Sequence, residues 1–230
     1  MATKLPILVY HRVHADDEIT VKNDQGRIDL GQFRRQIQYI ADAGMSVVTH
    51  HQLADWLLAG DDLPDRALAI DFDDNRLNVL ENAYPVLREF GFNATVFVIT
   101  DLANGKVVFA PQDHPAMQWD ELAQLRDAGW CIAPHTQRHL WLAGPKRAPR
   151  DDNEAWDEMA ESKRELETRL GIESPTLRIP TVAAMPRLQE WPASCLEPPD
   201  SGTRQPKDPG LRITETPILT SYWASISRKV

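Results

Sequence analysis

The segment Ala67-Leu-Ala-Ile-Asp-Phe-Asp-Asp-Asn75 is the basis of the predicted fold. An apolar run, Ala67 to Ile70, leads directly into three carboxylates, those of Asp71, Asp73 and Asp74. An apolar run bounded by polar residues is typical of a buried strand. In α/β folds, active sites collect where such strands end. The stretch therefore predicts a strand that delivers adjacent carboxylates to the mouth of a sheet or barrel.

A pair of histidines follows another predicted strand, in His135-Thr-Gln-Arg-His139. Zinc in hydrolases keeps three protein ligands and an open position for water, and Asp74, His135 and His139 would supply that set. Neighbouring residues on an extended chain point in opposite directions. While Asp74 binds the metal, Asp73 could therefore face a water molecule and accept its proton as general base. Ordinary alternatives exist: a solvated loop or helix N-cap for the two acids, and a surface turn for the two histidines.

Extended and helical segments alternate along the chain. Such alternation implies parallel βα units, so the fold class is expected to be α/β. The candidate groups His11, Asp73/Asp74 and His135/His139 each follow a predicted strand, which is where a βα barrel keeps its chemistry. The predicted strands are residues 5–10, 46–48, 67–72, 94–99 and 130–132. One predicted helix begins at Asp29, and the others cover 51–58, 76–90, 118–128 and 151–170.

Composition and charge are those of an ordinary globular protein. The 230 residues are 42% hydrophobic and 26% charged, with a formal net charge of −9, so one domain with one core is expected. The sequence has no run of lysine and arginine residues, so neither nucleic acid nor an anionic membrane is expected as a partner. Cys131 and Cys195 are expected to be reduced thiols. Neither a signal peptide nor a transmembrane stretch is recognised, so we expect a cytoplasmic protein unless an export signal is missing from this sequence.

Short motifs spread over residues 5–180 carry a family resemblance. They are Pro6-Ile-Leu-Val-Tyr-His-Arg-Val13, Ile70-Asp-Phe-Asp-Asp-Asn75, Glu81-Asn-Ala-Tyr-Pro-Val-Leu87, Gly91-Phe-Asn-Ala-Thr-Val-Phe-Val98, Trp119-Asp-Glu-Leu122, His135-Thr-Gln-Arg-His139 and Glu161-Ser-Lys-Arg-Glu-Leu166. In this order they resemble the polysaccharide deacetylase family, also called the NodB-homology domain. The resemblance implies a deformed (β/α) barrel and the metal-dependent removal of acetyl groups from an N-acetylated oligo- or polysaccharide.

The resemblance also implies a role for each residue of the constellation. Asp73 corresponds to the general base, and Asp74, His135 and His139 correspond to the ligands of a divalent metal. Zinc is the first expectation for that metal, with cobalt, nickel or manganese as alternatives. A further family motif, Arg-x-Pro-Tyr, orients the base and supplies a backbone N–H to the oxyanion. Arg178-Ile179-Pro180-Thr181 matches this motif in part.

The sequence departs from the family pattern in ways that leave the general acid unassigned. The family's Asp-x-x-Asp-Trp segment and C-terminal histidine are not found. Asn75 stands where the family has a glycine, but asparagine tolerates a turn with positive φ. His11 is a candidate acid by position, with a structural histidine as the equal alternative. Trp119 is a candidate for stacking on a sugar, with plain packing as the alternative. The remaining histidines His14, His50, His51 and His114 are interpreted as loop residues, and Arg76 and Arg138 as solvated.

Two hypotheses about the whole chain follow. Residues 1–180 are predicted to be a deacetylase domain, and residues 181–230 an atypical proline-rich tail in which irregular structure is expected. The alternative is a catalytically impaired or truncated relative that acts as a sugar- or metal-binding module. Asp71 is expected on the same side of its strand as Asp73, where like-charge repulsion would raise the proton affinity of Asp73. The sequence leaves the oligomeric state open.

Overall fold

The structure is a computed structural model that describes residues 3–15, 27–106, 115–140, 149 and 152–176, and the backbone of 212–215 and 224–228. The strands in these ranges are β1 (Thr3–Leu5), β2 (Ile7–Tyr10), β3 (Arg12–His14), β4 (Arg27–Asp29), β5 (Ser46–Val48), β6 (Ala67–Asp73), β7 (Thr95–Val98), β8 (Cys131–Pro134), β9 (Arg212–Glu215) and β10 (Ala224–Arg228). The helices are α1 (Leu30–Asp42), α2 (His50–Ala54), α3 (Tyr84–Glu89), α4 (Thr100–Ala103), α5 (Trp119–Asp127) and α6 (Asp152–Leu170).

Local sequence explains where the helices begin and how they are divided. Asp29 caps α1 by accepting a hydrogen bond from the Gln32 backbone N–H at 2.7 Å, which satisfies one of the free donors of the first turn. The predicted helix over 76–90 is divided into a π-helical turn at Val79–Ala83 and the helix α3. Pro85 lies just after the π-helical turn, so the hydrogen bond that a proline removes from a helix is lost where the bonding pattern changes. The single-turn helix α4 was not predicted.

The strand β6 is the centre of a parallel sheet. In the described ranges this sheet has five strands, in the order β2-β6-β7-β8 with β5 paired to β6. The register places Asp71 beside Val9 and Thr95, and Thr95 beside Cys131. Because side chains alternate along a strand, Asp71 and Asp73 face the same side of the sheet, as the sequence predicts.

Aromatic rings pack on the opposite face of β6. Phe72 is fully buried and stacks on Tyr10 and on Trp130 at centroid distances of 5.6 and 5.7 Å. Phe33 of α1 completes this cluster, 6.0 Å from the Phe72 ring. Aromatic clusters of this kind bury a large apolar area. This aromatic cluster anchors one face of β6. The other face, which carries Asp71 and Asp73, is the acidic face of the sheet and is the one that adjoins the site.

The predicted α/β class with parallel βα units is confirmed. Over residues 3–15, 27–106, 115–140 and 152–176 the sheet is open, and no strand links β8 back to β2. No helix of the part of the chain that the structure describes is long and apolar enough to cross a bilayer.

Two strands belong to the tail for which irregular structure was expected. β10 pairs antiparallel with β9 and with β1, so that Thr3 lies opposite Arg228. The described part of the tail is thus extended backbone in a small sheet. The proposed domain boundary at residue 180 stays a prediction.

Candidate active site

Asp74, His135 and His139 converge at the carboxyl ends of β6 and β8. One potential ligand atom from each residue lies within 4.8 Å of the other two. The Asp74 Oδ1 atom is 3.7 Å from Nε2 of His135 and 3.4 Å from Nε2 of His139. Asp74 and His135 are buried, and His139 is half-buried. The structure therefore brings together the three residues that the sequence nominates as metal ligands.

Two turns with unusual backbone angles hold these ligands. Asp74 and Asn75 have φ angles of 70° and 36°, and Thr136 and His139 have φ angles of 65° and 59°. Positive φ is uncommon for residues other than glycine, and such conformations persist where the surrounding structure fixes them, often at functional sites. Both turns that carry ligands thus have backbone conformations that their residues would not keep without support from the surrounding structure.

The donor set fits a divalent metal. Within the described ranges, the buried Oδ1 of Asp74 accepts no hydrogen bond although it faces two imidazoles. A buried acceptor without a donor is costly, and a cation between these groups would satisfy it. One carboxylate oxygen and two imidazole nitrogens are also the kinds of ligand that zinc binds in catalytic sites.

Opposing effects act on the pKa of the Asp74 carboxyl. Burial by itself would raise this pKa, but the nearby His139, His135, His11 and Arg76 favour the ionised form, and the net result is a pKa below the ordinary value. The Arg76 guanidinium lies 3.6 Å from Asp74 Oδ2 and is only 3% exposed. The interpretation of Arg76 as a solvated residue is therefore wrong.

Asp73 and His11 lie at the same end of the sheet as the three ligands. Asp73 is the last residue of β6, is paired in register with Phe97 and is buried. His11 directly follows β2 and is half-buried. Its Nδ1 atom is buried and makes no hydrogen bond with any described residue. The structure thus brings both predicted proton-transfer residues to the ligand set, and their roles stay predictions.

Comparison with known proteins shows the family to which the chain belongs. The polysaccharide deacetylase family profile matches residues 60–190, more than half of the chain, and the match includes both turns that carry ligands. The chain belongs to the polysaccharide deacetylase family. The resemblance noted from the motifs is confirmed.

One curated relative of this deacetylase-family chain is YxkH of Bacillus subtilis (strain 168), which is named a candidate polysaccharide deacetylase. It is 31% identical over 162 residues, which cover 70% of this chain and 50% of YxkH. The chain therefore spans half the length of this relative.

Solved structures of deacetylases share the fold. A Streptococcus pyogenes deacetylase, PplD, determined in complex with acetate, matches with a TM-score of 0.65 at 22% identity, over 76% of this chain and 72% of PplD. IcaB from Ammonifex degensii matches with a TM-score of 0.65 at 24% identity, over 81% of this chain and 78% of IcaB. At these identities the likeness establishes the fold alone.

Among the other residues that the family pattern or an aromatic side chain nominates, the structure describes only Trp119. Arg178, Pro180 and Thr181 lie outside the described residues. Trp119 donates a hydrogen bond from its indole N–H to Asn104 Oδ1 at 3.0 Å, and the Arg169 guanidinium covers its ring at 5.5 Å. These contacts hold Trp119 in the packing between α5 and α6, and its stacking on a sugar stays a prediction.

A buried pair that sequence reasoning missed lies beneath the site. His50 Nε2 is 3.1 Å from Asp71 Oδ1, and the two side chains are 8% and 0% exposed. The interpretation of His50 as a loop histidine is wrong, and so is that of His14, which is buried in β3. The expected effect of Asp71 on Asp73 stays a prediction. Nothing in the sequence links His50 to β6, since the pair forms only when the sheet assembles.

Arg138, interpreted as solvated, has a side chain that is 43% exposed and that is also bonded to α6, so that interpretation holds only in part. Its guanidinium donates to Glu154 Oε1 at 2.8 Å, and its backbone N–H donates to Glu158 Oε2 at 2.8 Å. Glu154 and Glu158 are four residues apart and so share one helical face. That spacing, on the helix that follows the histidine motif, is the one sequence signal of this contact.

Proposed function

We propose that this protein is a metal-dependent hydrolase that removes N-acetyl groups from an N-acetylated oligo- or polysaccharide. The observation that carries the proposal is the convergence of Asp74, His135 and His139 beside Asp73 in a member of the polysaccharide deacetylase family. A divalent metal held by these three ligands would polarise the amide carbonyl and lower the pKa of a water molecule. Zinc suits two nitrogen donors and one oxygen donor, and cobalt, nickel and manganese are the alternatives.

The side chains around the ligands are suited to the proton transfers of amide hydrolysis. A general base needs a position within hydrogen-bond reach of the proton that it accepts. Asp73, adjacent in sequence to the ligand Asp74 and buried at the end of β6, is proposed to take the proton of the attacking water. The water oxygen bonds to the amide carbon, the C–N bond then breaks, and the products are acetate and a free amine.

The leaving amine must receive a proton, and His11 is proposed to supply it. His11 lies close enough to Asp74 to lower the pKa of that carboxyl, so it is near the reacting groups. Its Nδ1 has no hydrogen-bond partner among the residues that the structure describes. Imidazole changes protonation near neutral pH, which suits this role. Arg178, Pro180 and Thr181 are proposed, on the family pattern alone, to orient Asp73 and to bind the oxyanion.

Acetate release from N-acetylglucosamine oligomers tests the proposal. We expect the purified protein to release acetate when zinc or cobalt is supplied. Asp73→Asn should lower the rate by about 10²- to 10⁴-fold, the usual contribution of a general base, while retaining the metal. His135→Ala should lose the metal, as measured by elemental analysis after dialysis.

The opposite outcome is equally clear. A wild-type protein that retains metal but releases no acetate from several acetylated sugars would contradict catalysis. That result would favour the sugar- or metal-binding module.

A further inference from the structure

We propose that Arg138 and Glu158 are positioning residues for the candidate metal centre. In this proposal their ion pair ties the turn from His135 to His139 to α6 and so places both imidazoles beside Asp74. The inference rests on the proposed metal site. Neither residue touches the potential ligand atoms, so both would act through the backbone of the turn.

Backbone hydrogen bonds to β7 and α4 hold the first part of the turn. The His135 N–H donates to the Val98 carbonyl at 2.7 Å, which continues the pairing of β8 with β7. The Asp101 N–H donates to the Gln137 carbonyl at 3.0 Å. The sheet therefore fixes His135 directly, while His139 lies beyond these contacts.

Glu158 of α6 holds the second part. Its backbone carbonyl accepts from the Gln137 N–H at 3.1 Å, and its Oε2 accepts from the Arg138 N–H at 2.8 Å. The Arg138 side chain donates from Nε to the other carboxylate oxygen of Glu158 and from Nη2 to Glu154. Glu158 is 1% exposed, so these donors, rather than water, satisfy its charge.

The turn depends on such external contacts because its backbone is strained. Thr136 and His139 both have positive φ, a conformation that non-glycine residues keep only when their surroundings fix it. Inside the turn, the His139 N–H donates to Thr136 Oγ1 at 3.1 Å. Arg138 directly precedes His139, so fixing both its N–H and its side chain on α6 leaves His139 little freedom to move away from Asp74.

The guanidinium group is specifically suited to this task. It presents a planar array of donors that can bond two carboxylates at once, whereas a lysine ammonium acts as a point charge. Arg138 uses this property to bond Glu154 and Glu158 together. Lysine should therefore rescue the position only in part.

Cobalt binding distinguishes between two roles for Arg138 and Glu158, namely positioning the metal ligands or only stabilising α6. Cobalt(II) is titrated into metal-free protein, and both its affinity and its visible absorption spectrum, which reports ligand geometry, are recorded. We expect Arg138→Gln and Glu158→Gln to weaken cobalt binding by about tenfold or more, as loss of outer contacts to a metal site does, and to alter the spectrum. Arg138→Lys should fall between Arg138→Gln and wild type.

A second arginine on the same helix provides the matched control. Arg164 pairs with Glu161 at 2.6 Å on the exposed side of α6, so Arg164→Gln removes an ion pair without touching the turn. It should bind cobalt as the wild type does. If Glu158→Gln fails to fold, as judged by circular dichroism, the two Arg138 variants decide, because the Arg138 side chain is 43% exposed and tolerates replacement.

The outcomes separate this inference from the proposed function. Arg138 variants that bind cobalt with wild-type affinity and spectrum would overturn the positioning role and leave the metal site intact. A wild type that binds cobalt but releases no acetate would overturn the hydrolase proposal, while the ranking of the cobalt affinities would still support the positioning role. A wild type that binds no cobalt would overturn both.

Discussion

Buried polar side chains line the acidic face of the sheet one layer below the candidate site. Asp71, Thr95 and Cys131 are paired in register across β6, β7 and β8. His50 joins them from α2, with its backbone N–H donating to Thr95 Oγ1 at 3.2 Å. Buried polar networks stabilise a fold only when their members are satisfied. Substitutions in this layer should therefore act through lost partners more than through lost volume.

The pair of His50 and Asp71 is the first test of that expectation. Replacing one member of a buried hydrogen-bonded pair leaves the other without its partner, so His50→Gln and Asp71→Asn should each lower the free energy of unfolding by about 1–3 kcal/mol. The double variant should lose less than the sum of the two, because each single change already breaks the same contact. Urea denaturation measures all three values.

An exposed pair provides the comparison for this cycle. Arg34 and Glu89 form an ion pair with side chains 46% and 53% exposed, and exposed pairs contribute about 1 kcal/mol or less. Arg34→Gln should therefore change stability only slightly. Strictly additive losses in the His50 and Asp71 cycle would mean that the buried pair is not energetically coupled.

Cys131 should be chemically inert in the folded protein. Burial raises the pKa of its thiol to about 12, the charge of Asp71 acts in the same direction, and a hydrogen bond with Thr95 acts against it. The reactive thiolate is therefore scarce at pH 7 to 9, whereas a free thiol with a pKa of about 8.5 ionises in that range.

Alkylation with iodoacetamide checks this in a Cys195→Ser variant, which leaves Cys131 as the remaining cysteine. We expect no labelling of the native protein between pH 7 and 9 and full labelling in guanidinium. Native labelling that accelerates across this pH range would show that the thiol ionises normally.

The side chain of Asn75 joins the turn after β6 to two other segments. Asn75 Oδ1 accepts from the Ile99 N–H at 3.1 Å, and its Nδ2 donates to the Met117 carbonyl at 2.9 Å. Asn75 is fully buried with a φ of 36°. The residue that replaces the family's glycine thus does more than tolerate the turn, because it links β6 to the end of β7 and to the segment before α5.

Substitutions at this position separate the two contributions. Asn75→Gly keeps the backbone conformation accessible but leaves two buried backbone groups without partners, so we expect a loss of about 1–3 kcal/mol in the free energy of unfolding. Asn75→Ala should lose about 1–2 kcal/mol more, because its Cβ disfavours the left-handed region. Thermal and urea unfolding of both variants measure the difference. Equal stability of the two would show that the backbone angle contributes little.

Elements and strand ends were predictable, whereas side-chain partners were not. Apolar periodicity predicted α1, α5 and α6, and the polar residues after β6 and β8 pointed to the carboxyl edge of the sheet. Arg138 and Glu158 are 20 positions apart in sequence, and His50 and Asp71 are 21 positions apart. Contacts at such separations depend on how helices and strands pack in three dimensions. Local propensity carries no information about that packing, so the sequence indicated neither the bond of Arg138 to α6 nor the burial of His50 beside Asp71.

Across the sheet, the candidate site joins two βα units that are distant in sequence. Asp74 follows β6, both histidines follow β8, and β7 lies between these strands. A metal bound to all three ligands would stabilise the folded state, because the unfolded chain does not bring the ligands together. Metal binding should therefore raise the thermal stability of the entire sheet rather than of one loop.

Thermal unfolding of chelator-treated protein with and without zinc tests this coupling. Free zinc at a hundred times its Kd should add about 2.7 kcal/mol of stability, which for a chain of this size corresponds to a Tm increase of roughly 5–10 °C. His135→Ala should show no increase, and Arg164→Gln should show the wild-type increase. An equal increase in His135→Ala would place the zinc elsewhere. A broad wild-type transition that zinc does not move would instead favour the truncated, non-catalytic alternative, because zinc stabilises the fold only if the folded state brings its ligands together.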